Sequence, residues 1–177
     1  MPLTRTVPFH RFQRDAADDT LSCGRARLAM QHVTPTRVLA KVTGEIDATN
    51  RHALGRFVER HIRVSQQLIV DLSDVDFFGS QGFTALYYIS VHCARRDVDW
   101  MVVGHRSVRR IMRICDPNGE LPLVHDLATA HVRLDHYARC RRSSGLSTRP
   151  RAGTSPRHRT IDQRLSRAAR PPHTRTR

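Results

Sequence analysis

The stretch from Leu68 to Gly82, LIVDLSDVDFFGSQG, holds the residues best placed to do chemistry. Its apolar start, Leu68-Ile69-Val70-Asp71-Leu72, has the look of a strand covered on both faces. The strand runs into a loop, and Gly79-Ser80-Gln81-Gly82 opens a helix. A helix N-terminus offers free N–H groups and partial positive charge. A hydroxyl there can accept a phosphoryl group with support for its anionic oxygens. That phosphate adds roughly −1.5 to −2 charges at pH 7, enough to break a complex docked on the surface. Flanking glycines leave room for another protein's backbone to approach. The same serine also reads as a plain helix N-cap, the commoner role at a helix start.

Enzymatic readings fail on spacing. A nucleophile elbow needs glycine two residues before and two after the serine. Gly82 meets the second condition, but Phe78 occupies the first position, and no histidine is ordered as a base. The 11 histidines form no HxxxH or HxH cluster with cysteine at ligand spacing. No catalytic set, metal site or cofactor site follows. Cys23, Cys93, Cys115 and Cys140 are widely spaced and read as reduced thiols of a cytoplasmic protein. Cys93 and Cys115 fall on different helices, where spacing does not argue for a redox pair.

The elements that must position Ser80 follow from periodicity. Ala26, Leu28 and Met30 alternate with Arg27 and Ala29, and Val38, Ala40 and Val42 alternate with Leu39, Lys41 and Thr43. With the turn signal Thr34-Pro35-Thr36 between them, they predict a hairpin. Gly44-Glu45-Ile46-Asp47 closes the second strand, and Asp47 is a candidate cap for a helix over 49–64. Leu54, Phe57, Val58, His61 and Ile62 give that helix its apolar face.

The Ser80 helix carries Phe83, Leu86, Tyr87, Ser90, Val91 and Ala94 on one face, with Phe83, Tyr87 and Val91 read as core. Trp100-Met101-Val102-Val103 is a covered strand. Val108, Ile111, Met112 and Cys115 mark a short helix, and Leu121, Leu123 and Val124 a last strand. Asp126 caps a final helix with Leu127, Ala130, Leu134 and Tyr137. The order β-β-α-β-α-β-α-β-α implies an α/β sheet layered with helices. Of Phe77 and Phe78, either could anchor a partner beside Ser80 or pack under the helix.

Charge divides the chain. It has 177 residues and a net charge of +14, and Lys41 is its only lysine. Residues 138–177 hold 12 Arg and one acid, Asp162, for +11; residues 1–137 hold 18 cations and 15 acids, for +3. The apolar share is about 45% before residue 138 and 20% after it. The front part can bury a core and the tail cannot. This predicts a loose leader over 1–20, one domain over 21–137 and a disordered Arg-rich tail over 138–177. No apolar run reaches the roughly 20 residues that span a bilayer. The first 19 residues lack the apolar core of a signal peptide.

The span from about Arg37 to Ala130 resembles a STAS domain of the anti-sigma factor antagonist type. The resemblance rests on VLAKVTGEIDATN at 38–50, LIVDLSDVDFFGSQGFTAL at 68–86 and WMVVGHRSVRRIMRICDPNGELPLV at 100–124. It implies a mixed sheet of about five strands with helices mostly on one face. It also implies a cytoplasmic regulator rather than an enzyme. Antagonists of this family bind an anti-sigma factor that is also a serine kinase, and so free a sigma factor. Phosphorylation of the switch serine stops the binding, and a serine phosphatase restores it. Ser80 takes the switch position, and Asp47 lies near the same surface. The partner face would comprise Asp47, Thr49, Phe78, Gly79, Ser80, Gln81 and Gly82. Many antagonists carry Asp just before the switch residue, where this chain has Gly79.

Two rival readings use other features. One is a STAS scaffold module in a stress-signalling assembly. The other is nonspecific nucleic-acid binding by the basic tail through phosphate contacts. The tail has no aromatic platform for bases, and a solvated extension explains it equally well.

Overall fold

The computed structural model describes residues 19–62 and 65–144. The elements run β1 (Asp19–Cys23), β2 (Ala26–Thr34), β3 (Arg37–Ile46), α1 (Arg51–His61), β4 (Gln67–Phe78), α2 (Ser80–Arg95), β5 (Asp99–Gly104), α3 (Arg106–Cys115), β6 (Leu123–Val124) and α4 (Leu127–Ser144). The strands form one sheet in the order β1-β2-β3-β4-β5-β6. β1 to β3 pair antiparallel, and β3 to β6 pair parallel.

Period-two alternation decides which helix meets which face. Val38, Ala40 and Val42 of β3, Leu68, Val70 and Leu72 of β4, and Val102 of β5 share one core with α1, α2 and α3. The intervening Leu39, Ile69, Met101 and Val103 share a second core with Ala130 and Leu134 of α4. Three helices therefore cover one face and α4 the other. Arg37, nearly buried, ties α4 down by donating to Gln67 Oε1 at 2.7 and 2.9 Å and to Asp135 at 2.5 Å. Gln67 in turn donates to the Leu134 carbonyl at 2.7 Å.

Several expectations change. The sheet has six strands, because β1 begins at Asp19 and closes a hairpin on β2, from Asp19↔Met30 to Cys23↔Ala26. β4 continues to Phe78, so the expected loop after Leu72 is strand. Two register shifts in the β3–β4 pairing, between Lys41 and Thr43 and between Gly44 and Glu45, explain the misreading. Each bulge puts an extra residue in one strand. The buried positions of β4 therefore step by three, from Leu72 to Val75 to Phe78.

The buried stripe of α2 is Gly82, Ala85, Leu86, Ile89 and Cys93, with Phe83, Tyr87 and Val91 only half-buried. α4 extends through Ser144, past the expected boundary at 137. The rest of the expected leader and tail, 1–18 and 145–177, lies outside the described residues. No described helix is long and apolar enough to cross a membrane.

Candidate functional site

β3 and β4 run parallel and end together, with Ile46 opposite Phe78. The Gly79 N–H donates to the Ile46 carbonyl at 2.8 Å. Asp47 follows one of these residues and Ser80 the other, so the ladder itself brings the acid and the hydroxyl to one edge of the fold.

Asp47 does not cap α1; that position belongs to Asn50. Instead, Asp47 Oδ1 accepts the Thr49 hydroxyl at 2.6 Å and the Thr49 N–H at 2.8 Å. Asn50, nearly buried, closes the turn. Its Oδ1 accepts the Asp47 N–H at 3.0 Å, and its Nδ2 donates to the Glu45 carbonyl at 2.8 Å. The Thr49 hydroxyl, then its N–H, hold the Asp47 carboxyl below the usual range. A depressed folded pKa contributes stability above the unfolded value, about 3.9, and loses it as pH falls through the folded value. We therefore expect Asp47→Ala to lower the urea midpoint at pH 7, and the gap from wild type to narrow below about pH 4. A gap that stays constant down to pH 2 would count against this turn as the carboxylate's role.

Ser80 is exposed as the first residue of α2, and Gly79 is the cap. Neither α1 nor α2 has an acid in its first turn, and Gly79 contributes no side-chain cap. The partial positive charge of the α2 terminus is therefore open to an anion. Arg51, at the start of α1, hydrogen-bonds through Nη1 to Oε1 of Gln81, the residue after Ser80. Phe77, 44% exposed, flanks Gly79.

Five of the seven expected partner-face residues are therefore at or near the surface: Asp47, Thr49, Gly79, Ser80 and Gln81. Phe78 and Gly82 are not. Phe78 is 0% exposed, and Gly82 is buried against its ring. The room beside Gly82 is filled from within, not left for a partner. Arg51, through its bond to Gln81, and the exposed Phe77, beside Gly79, lie at the same edge. Arg51 was missed because its contact spans 30 residues of sequence. Phe77 could not be told from Phe78 without the register.

Cys93 is buried, and burial pushes its thiol up to about 12. It is therefore an inert core thiol at neutral pH. None of the four cysteines is in a disulfide. Among the described residues, no three potential metal ligands cluster.

Residues 28–130 match the STAS domain family. The chain belongs to this family, in its anti-sigma factor antagonist type. It is similar to the anti-sigma-F factor antagonist RsfA of Mycobacterium tuberculosis, at 32% identity over 90 residues, spanning 49% of this chain and 70% of RsfA. The solved anti-sigma factor antagonist SpoIIAA, in its unphosphorylated form, is similar in fold. It has a TM-score of 0.51 at 13% identity, covering 64% of this chain and 96% of SpoIIAA.

Proposed function

We propose that this chain is an anti-sigma factor antagonist whose Asp47–Ser80 face docks on an anti-sigma factor with serine kinase activity. Ser80 is the phosphoacceptor, and its phosphorylation releases the partner and returns the sigma factor to inhibition. The observation that carries this reading is the exposed Ser80 hydroxyl at an uncapped helix start, tied through Gly79 and Ile46 to the Asp47 turn. The 32% identity to a protein named as an antagonist supports the same role.

Gly79 does not argue against phosphorylation on steric grounds. Its φ of −84° is ordinary, and an added Cβ would meet the Phe77 ring at 3.4 Å, in normal contact. A Cβ would therefore fit at position 79. The kinase must engage Ser80 without a carboxylate there.

A pull-down from native lysate tests the reading, with bound proteins and phosphate on Ser80 located by mass spectrometry. Wild type and Ser80→Ala should recover an anti-sigma factor with serine kinase activity, and only wild type should carry phosphate at this position. Ser80→Asp places a charge in the interface and should weaken the purified complex about a hundredfold. Equal affinity of Ser80→Asp and wild type would remove Ser80 as the switch.

A further inference from the structure

A row of arginines runs along the outer side of α3. The helix, RSVRRIMRIC, holds four arginines and no acid. Val108 and Met112 are buried, while Arg106, Arg110 and Arg113 recur at i, i+4 and i+7 on the exposed side. Arg133 of α4, also exposed, extends the row, because it borders the same open hollow as Arg113. Among the described residues, none of these four arginines has an acidic partner. From His105 to Val124 the only acids are Asp116 and Glu120. The Asp116 carboxylate accepts the N–H groups of Glu120 at 2.8 Å and Leu121 at 2.9 Å, so it shapes the loop.

An aromatic ring stands beside these charges. Tyr137 lies one turn beyond Arg133 on the same side of α4 and is 40% exposed. It belongs to neither apolar core. Fixed cations in a row attract a chain of phosphates, each contact releasing a counterion. An exposed aromatic ring gives unpaired bases a surface to stack on. The two together fit a single strand better than a duplex, whose bases are already stacked on one another. The sequence supports the same kind of partner independently, since residues 138–177 add 12 Arg against one acid.

We infer that the exposed side of α3, together with Arg133 and Tyr137 of α4, is a surface for single-stranded nucleic acid. Arg106, Arg110, Arg113 and Arg133 neutralise phosphates along the strand, and Tyr137 stacks on a base. The Arg-rich sequence after residue 137 also attracts any polyanion, so the test must separate this surface from charge alone.

Fluorescence anisotropy of the full chain makes that separation, with a labelled oligothymidylate of about 20 nucleotides as probe, longer than one binding site. The dissociation constant should lie below roughly 10 μM at about 50 mM salt. Tyr137→Ala should weaken this binding about tenfold and leave the affinity for heparin, a polyanion without bases, unchanged. Arg106→Ala combined with Arg110→Ala should reduce the slope of log Kd against log salt by about 1. A matched pair, Arg56→Ala with Arg95→Ala, removes two exposed arginines of α1 and α2 and should leave the slope as it is. Melting curves check that each variant folds. Absence of oligothymidylate binding would overturn the inference, as would wild-type affinity in Tyr137→Ala or an equal change of slope in the two arginine pairs. Capture by phosphatidylserine vesicles without oligothymidylate binding would assign the row to a membrane surface instead.

Discussion

Gly44→Ala should lower the stability of this domain by roughly 3 kcal/mol, through backbone strain and overpacking together. Gly44 has a φ of +87°, a region costly for a residue with a Cβ. Its added Cβ would also lie 2.1 Å from the Arg25 carbonyl oxygen. That oxygen cannot retreat freely, since it accepts the Glu45 N–H at 3.2 Å and sits in the turn between β1 and β2. The hairpin must therefore shift. A domain of this size should lose roughly 10 °C of melting temperature.

Gly119→Ala separates the two contributions. Gly119 also has positive φ, at +66°, but a Cβ there meets nothing within 4 Å. It should show the strain alone, about 1 to 2 kcal/mol. Equal losses at both positions would mean that the clash with Arg25 contributes nothing. The glycine of the GEID motif thus has a packing role that precedes any role in binding.

The second large effect concerns Phe78 and Gly82. A Cβ on Gly82 would lie 2.6 to 2.9 Å from three atoms of the Phe78 ring. Because the ring is fully buried, Gly82→Ala should cost about 1 to 3 kcal/mol. Phe78→Leu removes the ring atoms that clash and should itself cost about 1 kcal/mol. The double variant should be more stable than the sum of the singles predicts, by about 1 to 2 kcal/mol. Denaturant midpoints of the four proteins give the coupling directly. If Gly82 were instead a clearance for a partner's backbone, Gly82→Ala would leave the midpoint alone and reduce partner affinity. Phe78→Leu would then give no rescue.

This pair also shows why the site was only partly legible beforehand. Ser80, Asp47 and Gly79 were recognisable because helix-start chemistry and the GEID and SQG motifs are local. The split between Phe77 and Phe78 was not. Beyond Leu72, alternation fails twice, and a reader extending period two from Leu68 loses the phase. The bulges belong to the pairing of β4 with β3, so their position is a property of two strands rather than one.

β1 was hidden for a related reason. Asp19, Thr20 and Ser22 give it little apolar pattern, and of its residues only Leu21 and Cys23 pack against the core. An edge strand of this kind is defined by its neighbour, here β2, whose backbone groups it satisfies. Likewise, α4 could be expected from Leu127, Ala130 and Leu134, but not the face it would cover. That choice depends on Leu39, Ile69, Met101 and Val103 forming an apolar surface on the side left open by the other three helices.

The amino-acid order by itself determined the alternation of strands and helices, the covered central strands and the placing of a serine at a helix start. These follow from periodicity and from the chemistry of neighbouring residues, which act over a few positions. The tertiary structure decided which aromatic is buried beside that serine, what occupies the space at Gly44 and Gly82, and that Arg51 reaches Gln81. It also gathered Arg109, Arg113 and Arg133 around one cavity. Each of these depends on strand register and helix packing between segments far apart in the chain, where distance in space is set by the whole fold and leaves no local pattern to read.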